Sequence, residues 1–270
     1  STLLASSAAS DVYKRQDAYC YIGTEKPNHD VVIVGWDDSY SKDNFNTDLE
    51  GDGAFICQNS WGDNFGENGF FYISYYDTNI GTHNVVYTDI ENTDNYDHIY
   101  QSDLCGWVGQ LGYNKDSIYG ANVFTAEGNE TLKAASFYAT GKDSQYELYV
   151  VRQFEDETSL EKMIPVASGK LGNAGYYTVD FNQGIEVDAG ERYAVVLYII
   201  TPGSVHPMAI EYAADEATEN VDLDDGESYI SANGSKWVSV DTVEKSNLCI
   251  KAFSDNPVSY THLTLPTKLE

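Results

Sequence analysis

Two stretches decide how this chain is read: Asn28–Asp38, NHDVVIVGWDD, and Gln58–Gly69, QNSWGDNFGENG. In the first, His29 stands just before an apolar run, Val31–Val34, that is short enough for a buried strand and closes on Gly35 and Trp36. In the second, Asn59 and Trp61 lead into a glycine-rich turn. An imidazole works as a base only when its tautomer is fixed, and an asparagine oxygen fixes it by accepting one ring N–H. The expectation is that Asn59 holds Nδ1–H of His29 and leaves Nε2 free. Taken alone, the two residues read by default as a structural hydrogen-bonded pair, and it is the surrounding motif that turns the reading toward catalysis. No obvious nucleophile accompanies them.

Around these stretches, residues 17–92 read as strand, loop, strand, turn, strand. Val31–Gly35, Gly53–Gln58 and the aromatic-rich Gly69–Tyr76 are expected to pair antiparallel. Ser39–Gly53, polar and rich in Asp, Asn and Gly, reads as a surface excursion. Three such strands cannot cover their own apolar faces, so a covering partner is expected.

The polar stretch Asn92–Asp97, NTDNYD, reads as a linker. Beyond it, over 97–256, come short strand signals separated by turn residues: 120–125, 131–140, 145–153, 175–181, 193–200, 206–212, 227–231, 236–240 and 247–253. Their spacing without helical periodicity points to a β-sandwich. Asn233-Gly234 between YISA and SKWVSV signals a hairpin with a type I′ turn. The fold class is therefore mainly β, in two domains. The ends, 1–16 and 257–270, break the composition of the rest. DVYKRQ and VSYTHLTLPT resemble translated adapter sequence, and both ends are set apart from the fold.

The 43 acidic against 15 basic residues give a formal charge of −28, which leaves no basic stripe to follow a phosphate backbone and argues against nucleic acid as a partner. No apolar run approaches the roughly 20 residues of a membrane span. Four cysteines, at 20, 57, 105 and 249, are too few and scattered for a disulfide scaffold, and Cys57 and Cys249 read as buried thiols in strands. No cofactor is implied. The run Asp222–Glu227, DLDDGE, lacks the alternating-oxygen spacing of an EF-hand and reads as a solvated turn.

His29 and Asn59 carry a family resemblance. NHDVVIVGW followed by QNSWGDNFGENGFFYISYY resembles the C-terminal half of papain-like cysteine peptidases: two separated motifs in the right order, with glycines and aromatics in place. The resemblance implies peptide-bond hydrolysis by a Cys-His-Asn site, with His29 as general base and acid, Asn59 as its orienter and Trp61 as the indole that shields their bond. It also implies a protein or peptide substrate and a secreted or cell-surface location. The nucleophile signature is absent, and in this family it lies about 130 residues or more before the histidine. Cys20, in DAYCYIG, has the wrong neighbours. The chain thus reads as part of a peptidase, with the thiol expected upstream. A pseudopeptidase without that thiol is an alternative.

The later segment, about 96–255 with GANVFTAEGNETLKAASFY and NLCIKAF, is similar to the lectin-like domain of bacterial members, which implies a β-sandwich of jelly-roll type and contact with glycan or cell wall. A non-catalytic carbohydrate-binding module is accordingly the reading from another class. Trp107, Tyr119, Tyr229 and Trp237 are the aromatics that would stack on sugar rings, with core packing as the plainer role. His83, in GTHNVVY, belongs to no motif.

Overall fold

The computed structural model describes residues 2–3, 17–82, 84–88, 90–240 and 245–257, and for 2–3 the backbone only. His83 and most of the two ends lie outside the described residues. The chain divides into two compact units, 1–91 and 92–270.

The first unit is one five-stranded sheet built from β1 (Thr2–Leu3), β2 (Ala18–Tyr19), β3 (Asp30–Asp37), β4 (Ala54–Gln58) and β5 (Phe70–Ser74), in the order β1-β3-β4-β5-β2. The central strands β3, β4 and β5 pair antiparallel, and only β2 joins in parallel, against β5. Side chains alternate across a strand, so Phe55 and Cys57 of β4 meet Phe71 and Ile73 of β5 and Val31 and Ile33 of β3 on one face. The opposite face is closed by Cys20, Phe45, Leu49 and Ala54, with the Tyr40 ring stacked on Tyr72 at 4.0 Å. The excursion after Ser39 is therefore more than surface. Its two apolar side chains, Phe45 and Leu49, fold back under the sheet, while its polar residues face water and a short 3-10 turn, Lys42–Asn44, is capped by Ser41.

The second unit contains β6 (His98–Tyr100), β7 (Gly109–Leu111), β8 (Ser117–Thr125), β9 (Glu130–Ala139), β10 (Ser144–Val151), β11 (Ile164–Leu171), β12 (Gly175–Val187), β13 (Arg192–Ile200), β14 (Met208–Glu211), β15 (Ser228–Ser231), β16 (Val238–Ser239), β17 (Asn247–Leu248) and β18 (Ile250–Asp255). A six-stranded sheet, β11-β10-β13-β8-β15-β16, faces a four-stranded one, β12-β9-β18-β6, and a three-stranded β17-β14-β7 closes one side. Ile118, Leu148, Val195 and Leu197 from the first sheet interdigitate with Leu132, Phe137, Phe181 and Ile250 from the second. Asn122 ties sheet to sheet: its buried Nδ2 donates to the carbonyls of Leu248 and Ile250 at 2.9 and 2.8 Å. This is the mainly β, sandwich-bearing architecture that the strand spacing implies.

Two details differ from the sequence reading. The hairpin at Asn233-Gly234 pairs Tyr229 with Ser239 and Ile230 with Val238, so its connection is longer than a two-residue type I′ turn. Only Gly234 takes positive φ, at 75°; the Asn233 side chain is spent accepting from Ser235 and Lys236 N–H groups instead. β6, β7 and β11 carry no strong strand signal. β11, IPVASGKL, holds a proline and a glycine, which an edge strand tolerates because one of its sides has no ladder to serve.

Candidate active site

The loop after β4 and the residue before β3 meet at one end of the paired strands β3 and β4. Asn59 Oδ1 lies 2.9 Å from His29 Nε2 and also accepts from the Ser60 N–H at 2.7 Å. A backbone N–H only donates, so the Ser60 contact fixes which amide atom is oxygen, and that oxygen in turn demands a proton on Nε2. The tautomer is the reverse of the one expected from sequence: Asn59 holds Nε2–H, and Nδ1 is the free basic nitrogen. Sequence order cannot distinguish the two nitrogens, because the choice depends on how the ring enters from β3. Asn59 is buried at 8% exposure, and its own N–H bonds the Gly69 carbonyl at 2.9 Å, so the orienting oxygen sits on a fixed backbone.

Trp61 covers the pair. Its ring stacks on the imidazole with centroids 5.2 Å apart and planes 30° from parallel. An apolar plate beside the bond excludes water and strengthens it. Behind it stands a residue that the motif reading passed over: Phe65 packs edge-on to Trp61 at 4.9 Å and to Phe71 at 5.4 Å, which joins the indole to the unit's core. An aromatic four residues after Trp61 within a glycine-rich turn was the available signal. The turn depends on Gly69, whose φ of 89° is a backbone conformation that residues with a Cβ rarely adopt.

Neither cysteine of this unit is activated. Burial pushes the Cys20 thiol up to about 11 and the Cys57 thiol up to about 12, with the Asp77 carboxylate adding to both. Cys105 and Cys249 belong to the second unit, and all four cysteines are unpaired.

Three apolar side chains of β3 face solvent: Val32 at 42%, Val34 at 51% and Trp36 at 69% exposure. They do not form one continuous strip. A bulge between Ile33 and Gly35 shifts the register, so Val32 stands opposite Gln58 and Trp36 opposite Phe55, on the core-bearing side.

In the second unit, Tyr119 stacks on Tyr198 at 4.2 Å, with Gly234 close against the same ring. Trp237 meets Tyr119 edge-on at 6.2 Å, and Tyr229 packs against Phe154 at 5.8 Å while donating to Glu227. These three rings are built into packing. Trp107, 36% exposed, is the fourth. The acidic run folds into a turn in which Asp222 Oδ1 accepts from the Asp224 N–H. Among the described residues no group of three or more His, Cys, Asp or Glu side chains is arranged to hold a metal.

An imidazole held by an asparagine under an indole is the arrangement that the resemblance to papain-like peptidases implies for their histidine and asparagine. Residues 5–90 match the papain family of cysteine proteases, and residues 99–254 match the lectin-like domain. The second match spans more than half of the 270 residues: the chain belongs to the lectin-like domain family, preceded by a papain-family segment. The papain-family match takes in residues 5–16, which composition had set apart.

Among solved structures, the chain is similar to the clostridial cysteine protease Cwp84 after propeptide cleavage, with 29% identity and a TM-score of 0.77. It covers 94% of this chain and 64% of that one. It is also similar to the cysteine protease and lectin-like domains of Cwp84, a surface layer associated protein of Clostridium difficile, with 26% identity and a TM-score of 0.73. There it covers 94% of this chain and 57% of that one. The chain thus spans less than two thirds of either solved structure. No curated protein matches the sequence.

Proposed function

We propose that the first unit is the histidine–asparagine half of a cysteine endopeptidase site, and that the second is a carbohydrate-binding module of the same secreted or surface protein. The observation that carries the first part is the 2.9 Å bond from His29 Nε2 to Asn59 Oδ1 beneath Trp61. It leaves Nδ1 as the nitrogen that takes the thiol proton. The nucleophilic cysteine comes from the part of the catalytic domain that precedes these residues, because Cys20 and Cys57 are buried with thiols held protonated. The resulting thiolate and imidazolium stabilise each other and draw the cysteine pKa down by several units from about 8.5. The thiolate adds to a peptide carbonyl, His29 gives its proton to the leaving amine, and water then hydrolyses the acyl-enzyme with His29 again as base.

The family description of the second unit supports the glycan part, and the surface-layer association of Cwp84 supports the location. No helix among the described residues is long and apolar enough to cross a membrane.

The test uses a fluorogenic peptide with and without a thiol-directed inhibitor. This chain alone should show no inhibitor-sensitive turnover, and such turnover would overturn the assignment of the nucleophile to preceding sequence. In the full-length parent, His29→Ala should lower kcat/KM by at least about a thousandfold. Retained activity there would remove His29 from the mechanism.

A further inference from the structure

Three segments far apart in sequence meet at His98. This residue opens β6, the strand by which the chain enters the second unit. β6 is three residues long and the last strand of its sheet, so β18 alone pairs with it, through His98–Ser254, Ile99–Phe253 and Tyr100–Ala252. Side chains alternate along a strand, which puts His98 and Tyr100 on one face, with ring centroids 6.3 Å apart and planes 24° from parallel. A short edge strand with a single partner opens before the body of a sandwich does.

Two other segments close on the ring. Nε2 lies 3.0 Å from Asn256 Oδ1, just past the end of β18. An amide oxygen only accepts, so Nε2 carries a proton and Nδ1 is the nitrogen left to titrate. Nδ1 faces Glu127 Oε2 at 3.6 Å, in the turn between β8 and β9. The neutral ring therefore turns a lone pair toward a carboxylate, whereas the charged ring turns an N–H toward it. Protonation converts a repulsive meeting into an ion pair.

The other charged groups at this end of the sheet favour the proton too. Asp97, the preceding residue, accepts the Asn256 N–H at 2.8 Å, and Glu130 of β9 is buried with Tyr100, Ser254 and Gly128 donating to it. Lys133, the basic residue of β9, is paired with Asp255 of β18 at 3.8 Å. The Asn256 acceptor, and after it the Glu130, Glu127 and Asp97 carboxylates, hold the His98 pKa above the usual imidazole value. A group whose folded pKa is raised contributes stability that is full below its unfolded value, about 6.5, and is lost as pH rises through the folded one.

We propose that His98 is a proton-operated latch on the entry strand: charged, it clips β6 to the turn at Glu127 and to the end of β18; neutral, it lets β6 and the segment that joins the two units open. The joining segment is thus fastened in mildly acidic surroundings and loosened in alkaline ones, while the body of the sandwich stays closed. The latch depends on neither the peptidase reading nor the carbohydrate-binding one.

The experiment is amide hydrogen exchange of this chain, read by mass spectrometry at pH 5.5 and pH 8 and corrected for the intrinsic exchange rate at each pH. Protection of peptides that cover 97–101, taken relative to peptides from β13, should fall by about threefold at the higher pH, the scale of one partly exposed ion pair. His98→Gln keeps a donor for Asn256 but cannot take a charge, so its relative protection should be the same at both pH values. Should that variant lose the native near-ultraviolet circular dichroism, Glu127→Gln serves in its place, since the Glu127 side chain is 75% exposed, and it should shrink the step. A step that survives in both variants overturns the latch and assigns the dependence to the general acidic charge. No step in the native chain, or an equal fall in the β13 peptides, overturns it as well.

Discussion

β3 and β13 are both dense apolar runs, VVIV and YAVVLYII, yet the structure treats them as opposites. In β13 the five residues Tyr193–Leu197 are all 1% exposed or less. Tyr193, Val195 and Leu197 enter the core between the sheets, while Ala194 and Val196 are roofed by Phe154 and Leu160 from the segment after β10. In β3, Val31 is buried and Val32 and Val34 stand in water. The second unit supplies both covers for its central strand. The first supplies one and leaves much of the other side of β3 open, which on the proposed function is where a further part of a catalytic domain would rest.

The contrast is broken most strongly at the centre of β13. Leu197→Ala should cost about 3 to 4 kcal/mol through the lost transfer energy and the cavity. Scanning calorimetry of the whole chain should show the transition of the second unit falling while that of the first stays in place. A joint shift of both would mean that the units do not melt separately.

The second effect is a pH dependence confined to the sandwich. Burial raises the Asp103 carboxyl to about 6, against the attraction of Lys251. The folded state therefore binds this proton more tightly than the unfolded chain, so the contribution is full below about pH 4 and is lost as pH rises through about 6. The change is on the order of 3 kcal/mol at most. Denaturant unfolding at pH 5 and pH 7.5 should show the sandwich less stable at the higher pH, and Asp103→Asn should flatten the difference. An unchanged slope in that variant would assign the dependence to the general acidic charge.

The sequence made the frame of both units legible and hid what depends on three dimensions. The central strands β3, β4 and β5 and their pairing follow from local apolar runs, and His29, Asn59 and Trp61 follow from motif spacing. Which imidazole nitrogen faces Asn59 does not, because it is set by how the ring enters from β3, while the Ser60 N–H fixes only that the amide oxygen meets it. The bulge that turns Trp36 away from Val32 leaves no mark in a run of valines. Phe45 and Leu49 look like stray apolar residues in a polar loop until the sheet above them is known. Asp103 is one acid among 43 acidic residues, and only burial distinguishes it.

A smaller effect tests the half-site. In the full-length parent, Asn59→Ala should lower kcat/KM by about 10- to 100-fold, less than loss of His29, because the ring is misdirected while its basic nitrogen remains. Asn59→Gln, which keeps an amide but displaces its oxygen, should fall between. Full activity in both would reduce Asn59 to a turn residue that happens to touch the imidazole.

The smallest expected effect bears on the open side of β3. In this chain, Val32→Thr and Trp36→Ser should each change stability by less than about 0.5 kcal/mol, since both side chains already stand in water. In the parent, where further catalytic sequence is expected to cover β3, the same substitutions should lower the melting temperature of the peptidase. The bulge makes the two positions separable: Trp36 is on the core-bearing side with Phe55, whereas Val32 is on the side of Gln58. If only one variant is destabilising in the parent, the cover rests on that side of the sheet alone. If neither is, β3 is open in the intact protein too, and the contrast with β13 is a property of the unit rather than a sign of a missing neighbour.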